Sequence, residues 1–173
     1  MKTIILPGFS KINRAWAEQA KYYLGQKIHD PIEIINWKHW ESGNSNDFMA
    51  LEEAKKIIED NKNDEINILA KSIGTLVCMY LIQEIPLSLN KIILCGIPLS
   101  DLRASSKSLY EALATVPTYK VSYFQNSDDP HGSFDEVSAF VKNIVPNTNN
   151  FVKKLADTHD YPYWEDFGKI LTN

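Results

Sequence analysis

The chain has 173 residues, of which 44% are hydrophobic and 23% are charged, and its formal net charge is −4 at pH 7. This length suits one folded domain with a sizeable core, and the near-average composition excludes general disorder. Because basic residues are scattered, the basic face that nucleic-acid binding needs is missing, and no nucleic-acid partner is expected. No apolar run reaches the roughly 18 residues of a membrane span, so no membrane partner is expected either.

The N-terminus and the cysteines bear on the cellular compartment. The apolar run Ile4–Leu6 is too short for a signal peptide and is predicted as part of a first strand, so a cytoplasmic location is expected. Cys78 and Cys95 both lie in apolar surroundings. These surroundings favour two buried thiols over a disulfide or a metal site.

Six short runs rich in Ile and Val are predicted as strands. Several are apolar nearly throughout, as strands covered on both faces of a parallel sheet are. The predicted strands are Thr3–Leu6, Ile32–Asn36, Ile66–Ala70, Lys91–Cys95, Lys120–Phe124 and Asn150–Lys154.

Helical patterns separate these strands. The predicted helices are Ile12–Lys27, Asp47–Asp60, Ile73–Gln83, a helix around Ser108–Ala114 within an irregular segment, Ser133–Asn143 and Tyr163–Leu171. Asn46 or Asp47 is the predicted N-cap of the second helix. Ile73–Gln83 is apolar nearly all round and predicts a central buried helix. Strands that alternate with helices predict βαβ units and an α/β fold with helices on both faces of a parallel sheet.

The segment Ile66–Thr75 joins an apolar strand directly to an apolar helix, with Ser72 at the junction. The chain must turn sharply there, and the small residues Ala70 and Gly74 leave room for the turn. These are the mechanics of the G-x-S-x-G nucleophile elbow, with Ala70 in place of the first glycine. The turn also puts Ser72 at a helix N-terminus, where the dipole favours a developing oxyanion. The alternative is a serine that only caps a buried helix.

Lys71 and Ser72 also match the last two positions of a P-loop. That motif needs glycine five residues before the lysine and again directly before it, where this chain has Ile66 and Ala70. No G-x-G-x-x-G motif is present either. A nucleotide-binding domain is therefore a lower-ranked hypothesis.

A candidate acid follows the predicted strand Lys120–Phe124. The chain continues as Ser127-Asp128-Asp129-Pro130, and Pro130 pushes Asp129 out of the helical region, which would hold its carboxylate at the strand tip. An acid at this place suits a catalytic triad. The alternative is a solvated turn that caps the next helix.

A candidate base follows the last predicted strand, where His159 lies on a loop. The alternative is a surface histidine. The chain order Ser72, Asp129, His159 is that of the α/β-hydrolases and differs from the orders in chymotrypsin and subtilisin. Because the three residues follow strands that end at one edge of the sheet, we expect them to meet there. Ser72 is the predicted nucleophile, His159 the base and Asp129 the acid.

The loop after the first strand is the candidate oxyanion loop. In this fold that loop supplies one backbone N–H, and the residue after the nucleophile supplies a second. Phe9 (or Ser10) and Ile73 are the predicted donors, and Gly8 would let the backbone approach a substrate. The alternative is a plain strand-to-helix turn.

Together these motifs resemble the small, cap-less serine hydrolases typified by retinoblastoma-binding protein 9. The resemblance spans essentially the whole chain: Pro7-Gly8, the elbow at Ser72, Ser127–Pro130 and a late His159. It implies a minimal α/β-hydrolase without a lid domain, a three-layer αβα sandwich around a mostly parallel six-stranded sheet in the order 2-1-3-4-5-6. One domain over residues 1–173 is expected. It also implies that the Asp beside proline is the triad acid, with Asp128 in reserve.

The chain departs from that family at three places. Phe9-Ser10-Lys11 stands where the family has a glycine-rich run, Ala70 replaces the first elbow glycine, and Thr158 and Asp160 flank His159. These departures bear on the substrate more than on the triad.

The predicted function is a serine hydrolase that cleaves a small ester, thioester or amide through an acyl-enzyme. Its partner would be a small-molecule acyl substrate, with no metal and no organic cofactor. Ser10, Trp37, Trp40 and Tyr161 are candidate pocket residues, although loop aromatics often only pack onto a core. Lys71, beside the nucleophile, is expected to be solvated, and the alternative is that it favours an anionic substrate.

An alternative function is a non-catalytic binding or regulatory protein on the same scaffold, because a fold does not determine a function. The sequence leaves the oligomeric state open between a monomer and a homodimer.

Overall fold

A six-stranded sheet forms the centre of the computed structural model, which describes residues 1–84 and 89–172. The strands run in the order β2-β1-β3-β4-β5-β6, and every neighbouring pair is parallel. The bounds are β1 (Lys2–Leu6), β2 (Ile32–Ile34), β3 (Ile66–Lys71), β4 (Leu89–Cys95), β5 (Val121–Asn126) and β6 (Phe151–Lys154). The predicted strands and their order are confirmed.

Apolar side chains on both faces of the sheet build two cores. In β1, Ile4 and Leu6 point to one face and Ile5 points to the other, and all three are fully buried. All residues of β3 are buried. A sheet with two apolar faces is stable only when helices cover both of them.

The helices supply this cover. Their bounds are α1 (Asn13–Gly25), α2 (Lys38–Ser42), α3 (Ala50–Asn61), α4 (Ile73–Glu84), α5 (Ala104–Ser108), α6 (Phe134–Ile144) and α7 (Trp164–Thr172). α1 and α7 pack on the face of Ile5, while α3, α4 and α6 pack on the face of Ile4. This confirms the predicted three-layer sandwich. α4 is buried on nearly all sides, as its continuous apolar sequence predicts.

The cap predicted at Asn46 or Asp47 is wrong. Both residues belong to a separate 3-10 helix over Ser45–Asp47, and α3 begins only at Ala50. Phe48 lies between the two helices, and its ring packs edge-on against His39 of α2 and against Trp37, the residue before α2. This packing bends the chain before the longer helix begins.

Two other segments differ from the pattern. α2 was not predicted, because five residues are too few to show a helical period; Gly43 ends it with a left-handed φ of 72°. The region around Ser108–Ala114 is helical as predicted, but α5 is followed by a 3-10 helix over Leu109–Thr115 rather than continuing as one element.

The parallel sheet brings the carboxyl ends of its strands to one edge. Phe9 lies in the loop after β1, Ser72 directly follows β3, Asp129 lies in the turn after β5, and His159 lies in the loop after β6. In open α/β sheets this edge is where ligands bind. Among the described residues, no helix has both the length and the apolar character that crossing a membrane requires.

Gly74 lies where α4 crosses the end of β1, and this contact predicts a stability defect. A Cβ added at Gly74 would lie 2.2 Å from the Leu6 carbonyl oxygen and 2.9 Å from that of Pro7. Because both obstacles are backbone atoms, Gly74→Ala must push α4 off the sheet. We expect the free energy of unfolding, measured by urea denaturation, to fall by about 3 kcal/mol or more, the upper range for overpacking.

The matched control is Gly25→Ala at the end of α1, where an added Cβ would meet no atom within 4 Å. That change should be neutral or stabilise the fold by up to about 1 kcal/mol. Equal effects of the two substitutions would contradict the close approach of α4 to β1.

Candidate active site

Ser72 forms the turn between β3 and α4 with a left-handed backbone, φ 55°. No other non-glycine residue of the described chain has a positive φ. Such a conformation is strained and persists where its surroundings enforce it, often at active sites. The Ser72 N–H donates to the Cys95 carbonyl at 3.0 Å and ties the turn to β4. The segment has the sharp strand-to-helix geometry of a nucleophile elbow.

The two small residues of the elbow have different roles. Ala70 is fully buried, and its side chain joins the core on the α4 side of the sheet. One extra methyl group is therefore accommodated at this position. Gly74 has no such freedom, because the backbone of β1 occupies the space that a side chain would need. The departure from the G-x-S-x-G pattern at Ala70 leaves the turn intact.

Asp129 is a buried carboxylate that accepts three sets of hydrogen bonds. His159 Nδ1 lies 2.7 Å from Oδ2 and 3.0 Å from Oδ1. The Tyr161 hydroxyl donates to Oδ2 at 2.5 Å, and the backbone N–H of His131 donates to Oδ1 at 2.8 Å. Asp128, the reserve acid, is exposed instead, and its Oδ2 accepts from the Ser127 hydroxyl. Of the two acids, the one beside proline contacts the histidine.

These contacts keep Asp129 ionised. Burial by itself raises the pKa of the Asp129 carboxyl, but the hydrogen bonds from His159, Tyr161 and the His131 amide outweigh it and hold the pKa below its usual range. Since an ionised carboxylate only accepts hydrogen bonds, His159 Nδ1 must carry a proton in this pair. The neutral imidazole therefore has an unprotonated Nε2 that is free to accept a proton.

The second nitrogen of His159 is buried and has no hydrogen-bond partner among the described residues. Among the described residues, Ser72 forms hydrogen bonds through its backbone: its N–H donates to the Cys95 carbonyl, and its carbonyl accepts from Thr75. A Cβ added at Gly96 would lie 3.0 Å from His159 Cε1, so the imidazole lies over Gly96. The preceding residue, Cys95, accepts the hydrogen bond from the Ser72 N–H. Base and serine thus flank the end of β4, without a hydrogen bond between them.

Ring N–H groups of α2 and the residue before it hold the loop after β1. Trp37 Nε1 donates to the carbonyls of Pro7 and Gly8, at 3.2 and 3.1 Å. The Phe9 carbonyl lies 2.7 Å from both His39 Nε2 and Trp40 Nε1. In a trans peptide the N–H points opposite to the carbonyl, and no peptide bond described here is cis.

The Phe9 N–H shares its peptide bond with the Gly8 carbonyl, and the Ser10 N–H shares its peptide bond with the Phe9 carbonyl. Both N–H groups therefore point away from the rings that bind these carbonyls. The Ile73 N–H lies in the first turn of α4, where backbone N–H groups have no acceptor within the helix. Both predicted oxyanion donors are free to bind a ligand in the described part of the chain.

The predicted pocket residues divide into two groups. Ser10 and Trp40 line a depression of about 440 Å³ beside the loop after β1, together with Phe9. Trp37 and Tyr161 are fully buried, so the predicted pocket role is wrong for both. Their polar atoms instead hold the loop after β1 and the carboxylate of Asp129.

Three features of the site were not predicted. The Tyr161 hydroxyl has no sequence signal, because its bond to Asp129 spans 32 residues. The His131 amide bond was foreseeable, since an Asp side chain that binds the N–H two residues on is a common turn. The His131 ring, whose centroid lies 4.4 Å from that of His159, binds Asp101 at 2.6 Å.

The environment of Lys71 also differs from the expected one. It was expected to be solvated, yet it is only 5% exposed. Its side chain points into the layer of α1 and α7 and lines a depression of about 310 Å³ together with Trp16 and Trp164.

Among the described residues, no group of three or more His, Cys, Asp or Glu side chains is arranged to hold a metal ion.

Comparison with known proteins shows the fold. No family model matches the chain, and no curated protein matches it significantly. Among solved structures it is similar to an extracellular α/β-hydrolase from a Paenibacillus species, with 11% identity and a TM-score of 0.65 over 99% of this chain and 97% of the other. The chain has the α/β-hydrolase fold. No lid domain interrupts the described strands and helices of this hydrolase fold. The Paenibacillus protein is described as sharing structural and functional homology with tobacco salicylic acid binding protein 2.

The Tyr161 bond to Asp129 predicts a pH-dependent loss of stability in Tyr161→Phe. The free energy of unfolding at pH 7 should fall by about 1.5–3 kcal/mol, as for other hydrogen bonds to charged groups. The lowered pKa of Asp129 stabilises the fold above the unfolded pKa of about 3.9, and this stabilisation is lost as the pH falls through the folded pKa. Since the variant raises the folded pKa, the difference from the wild type should shrink below about pH 4.

The control is Tyr163→Phe, which removes a hydroxyl that donates to the neutral amide oxygen of Asn126 at 2.6 Å. Urea unfolding from pH 7 to pH 3 should show a smaller loss that does not change with pH. Parallel stability profiles for the two variants would contradict an ionised Asp129.

Proposed function

We propose that the protein is a serine hydrolase that cleaves a small ester, thioester or amide. The observation that carries this proposal is the buried pair of Asp129 and His159, 2.7 Å apart, at the same sheet edge as the strained Ser72 turn. A histidine whose Nδ1 is held by an ionised carboxylate leaves Nε2 as a base, and Ser72 is the hydroxyl at that edge in the elbow conformation. This constellation suits acyl transfer.

In the proposed reaction, His159 Nε2 takes the proton of Ser72 Oγ as that oxygen attacks the acyl carbonyl. The N–H groups of Phe9 and Ile73 stabilise the tetrahedral oxyanion, an effect worth roughly 10²–10³-fold in rate for each donor. The intermediate then expels its alcohol, thiol or amine, which takes the proton from His159. Water attacks the acyl-enzyme by the same route and releases a carboxylic acid and the free Ser72.

Asp129 orients the imidazole during these steps and stabilises its charged form. Its low pKa keeps it ionised at neutral pH, so it does not take the proton itself. The missing bond between Ser72 and His159 fits a hydrolase without substrate, since catalytic hydrogen bonds often tighten only in the substrate complex.

The proposed relationship is to the small, cap-less serine hydrolases typified by retinoblastoma-binding protein 9. It is supported by Pro7-Gly8 after β1, by the Asp beside Pro130 that contacts His159, and by the absence of a lid among the described residues. The depression beside Phe9 is open and has a volume of about 440 Å³, which suits a small acyl group or leaving group.

We also propose the cytoplasm as the compartment. Cys78 and Cys95 are free, buried thiols, as is usual for proteins in a reducing environment. Burial raises the pKa of both thiols, so neither is poised to act as a nucleophile in place of Ser72. Fractionation of cells that produce the native chain would test the location, and recovery in the culture medium would contradict it.

The nucleophile is tested with a fluorophosphonate probe, which labels activated serines. The wild-type protein should be labelled and Ser72→Ala should not, because the probe then has no activated oxygen to react with. Equal labelling of both proteins would overturn the proposal and favour the binding or regulatory alternative.

The two neighbouring acids provide a matched pair for the triad. Asp129→Asn should lower kcat on an activated ester by about 10⁴-fold, because the amide holds the wrong histidine tautomer. Asp128→Asn should leave kcat within about threefold of the wild type, since the carboxylate of this exposed acid accepts from the Ser127 hydroxyl and not from the histidine. Similar losses in both variants would contradict the assignment of Asp129.

A further inference from the structure

Lys71 lies directly before Ser72 and is buried, although it ends a strand at the open edge of the sheet. Its Nζ donates to Asn13 Oδ1 at 2.9 Å. The same Nζ lies 3.8 Å from Asp160 Oδ1 and 5.3 Å from the centre of the Trp16 ring. One ammonium group therefore contacts α1 and the loop of His159 at once.

The contact with Asn13 reaches the oxyanion loop. Asn13 Nδ2 donates to the Ser10 carbonyl at 3.0 Å. Its side chain also lies against Gly8, where an added Cβ would be 2.7 Å from Asn13 Cγ. Lys71 thus fixes the amide of Asn13, and that amide fixes the loop whose N–H groups are the proposed oxyanion donors.

The contact with Asp160 reaches the loop of the base. Asp160 directly follows His159, and its Oδ1 accepts from the Tyr161 N–H at 3.0 Å. Trp16 Nε1, on the helix under Lys71, donates to the Tyr161 carbonyl at 3.1 Å. The chain on the C-terminal side of His159 is therefore held by both Lys71 and the helix beneath it.

We propose that Lys71 is a positioning residue, a cationic clamp that couples the nucleophile strand to the oxyanion loop and to the loop of the base. This inference rests on the proposed hydrolase function. The clamp sets the relative positions of Ser72, the Phe9 amide and His159, which lie on three separate loops and need to be aligned within a fraction of an ångström.

A purely structural role does not explain a buried ammonium. Removing this charge from water is costly, and its partner Asp160 is 64% exposed and stays solvated when the lysine is removed. A methionine of similar length would pack against Trp16 without that cost. The position therefore carries a lysine for its directed contacts rather than for stability.

The charge on Lys71 gives the clamp a pH dependence. Burial lowers the pKa of its ammonium, and the nearby carboxylates of Asp160 and Asp129 oppose this only in part. Cys95 faces it from β4 and the two acids from the loops after β5 and β6, while α1 presents the uncharged Asn13 and Trp16. The clamp loses its charge at a lower pH than an ordinary lysine, so activity should fall as pH rises through that pKa.

The test compares wild type, Lys71→Met and the control Lys27→Met, which removes an exposed pair with Glu165. For an activated acetyl ester, Lys71→Met should lower kcat by about 10²-fold, the typical effect of a 1 Å misplacement, and leave KM within about threefold. The alkaline fall in kcat/KM should disappear in this variant only. Its thermal midpoint should equal or exceed that of the wild type.

Asn13→Ala is the second variant, because it cuts the clamp on the oxyanion side and leaves the lysine in place. It should also lower kcat without raising KM, and it decides the matter if Lys71→Met does not fold. Unchanged kcat in the folded variants would overturn the clamp. An effect confined to KM would also overturn it, because Lys71 would then contact the substrate in the neighbouring depression.

Failure of the clamp and failure of the hydrolase proposal are distinguishable. A wild-type protein that neither reacts with the fluorophosphonate probe nor cleaves the ester overturns both. A wild type that reacts, together with a Lys71→Met variant of equal rate and equal pH profile, overturns the clamp alone.

Discussion

A carboxylate can be buried only if hydrogen bonds replace the water that it loses, and Asp129 is held in this way. Its three donors come from two places: the His131 amide in its own turn, and the side chains of His159 and Tyr161 on the loop after β6. The same loop is also held by Asn126 Nδ2, which donates to the carbonyls of Thr158 and Asp160, and by Trp16 Nε1, which donates to the Tyr161 carbonyl. The ionised carboxylate orients the imidazole and fixes which of its nitrogens carries the proton.

The strained turn at Ser72 depends on the sheet in a similar way. Its φ of 55° is held because β3 and α4 are both anchored: β3 pairs along its length with β1 and β4, and Gly74 lets α4 approach the end of β1. The loop after β1 is in turn held by ring N–H groups from α2 and Trp37. The Ser72 turn is thus positioned by backbone pairing between neighbouring strands, and the loop after β1 by side-chain donors.

Much of the fold was predictable because its signals are local. Runs that are apolar nearly throughout, such as Ile66–Ala70, indicate strands buried on both faces, and the apolar surface of Ile73–Gln83 indicates a buried helix. α2 was missed because its five residues are too few for a period, and the cap at Asn46 or Asp47 failed because Phe48 packs onto distant rings. Local patterns do not contain contacts between segments far apart in the chain.

The candidates Ser72, Asp129 and His159 could be recognised in the chain alone, because each follows a strand signal and a turn signal within ten residues. The strand order was implied by the family resemblance and not by those local signals. Only the tertiary structure decided that Asp129 rather than Asp128 contacts the histidine, that Tyr161 and Trp37 are buried donors, and that Lys71 lies inside the protein. These outcomes depend on hydrogen bonds across 29 to 58 residues of chain. Such bonds form only once the sheet has brought its carboxyl ends together.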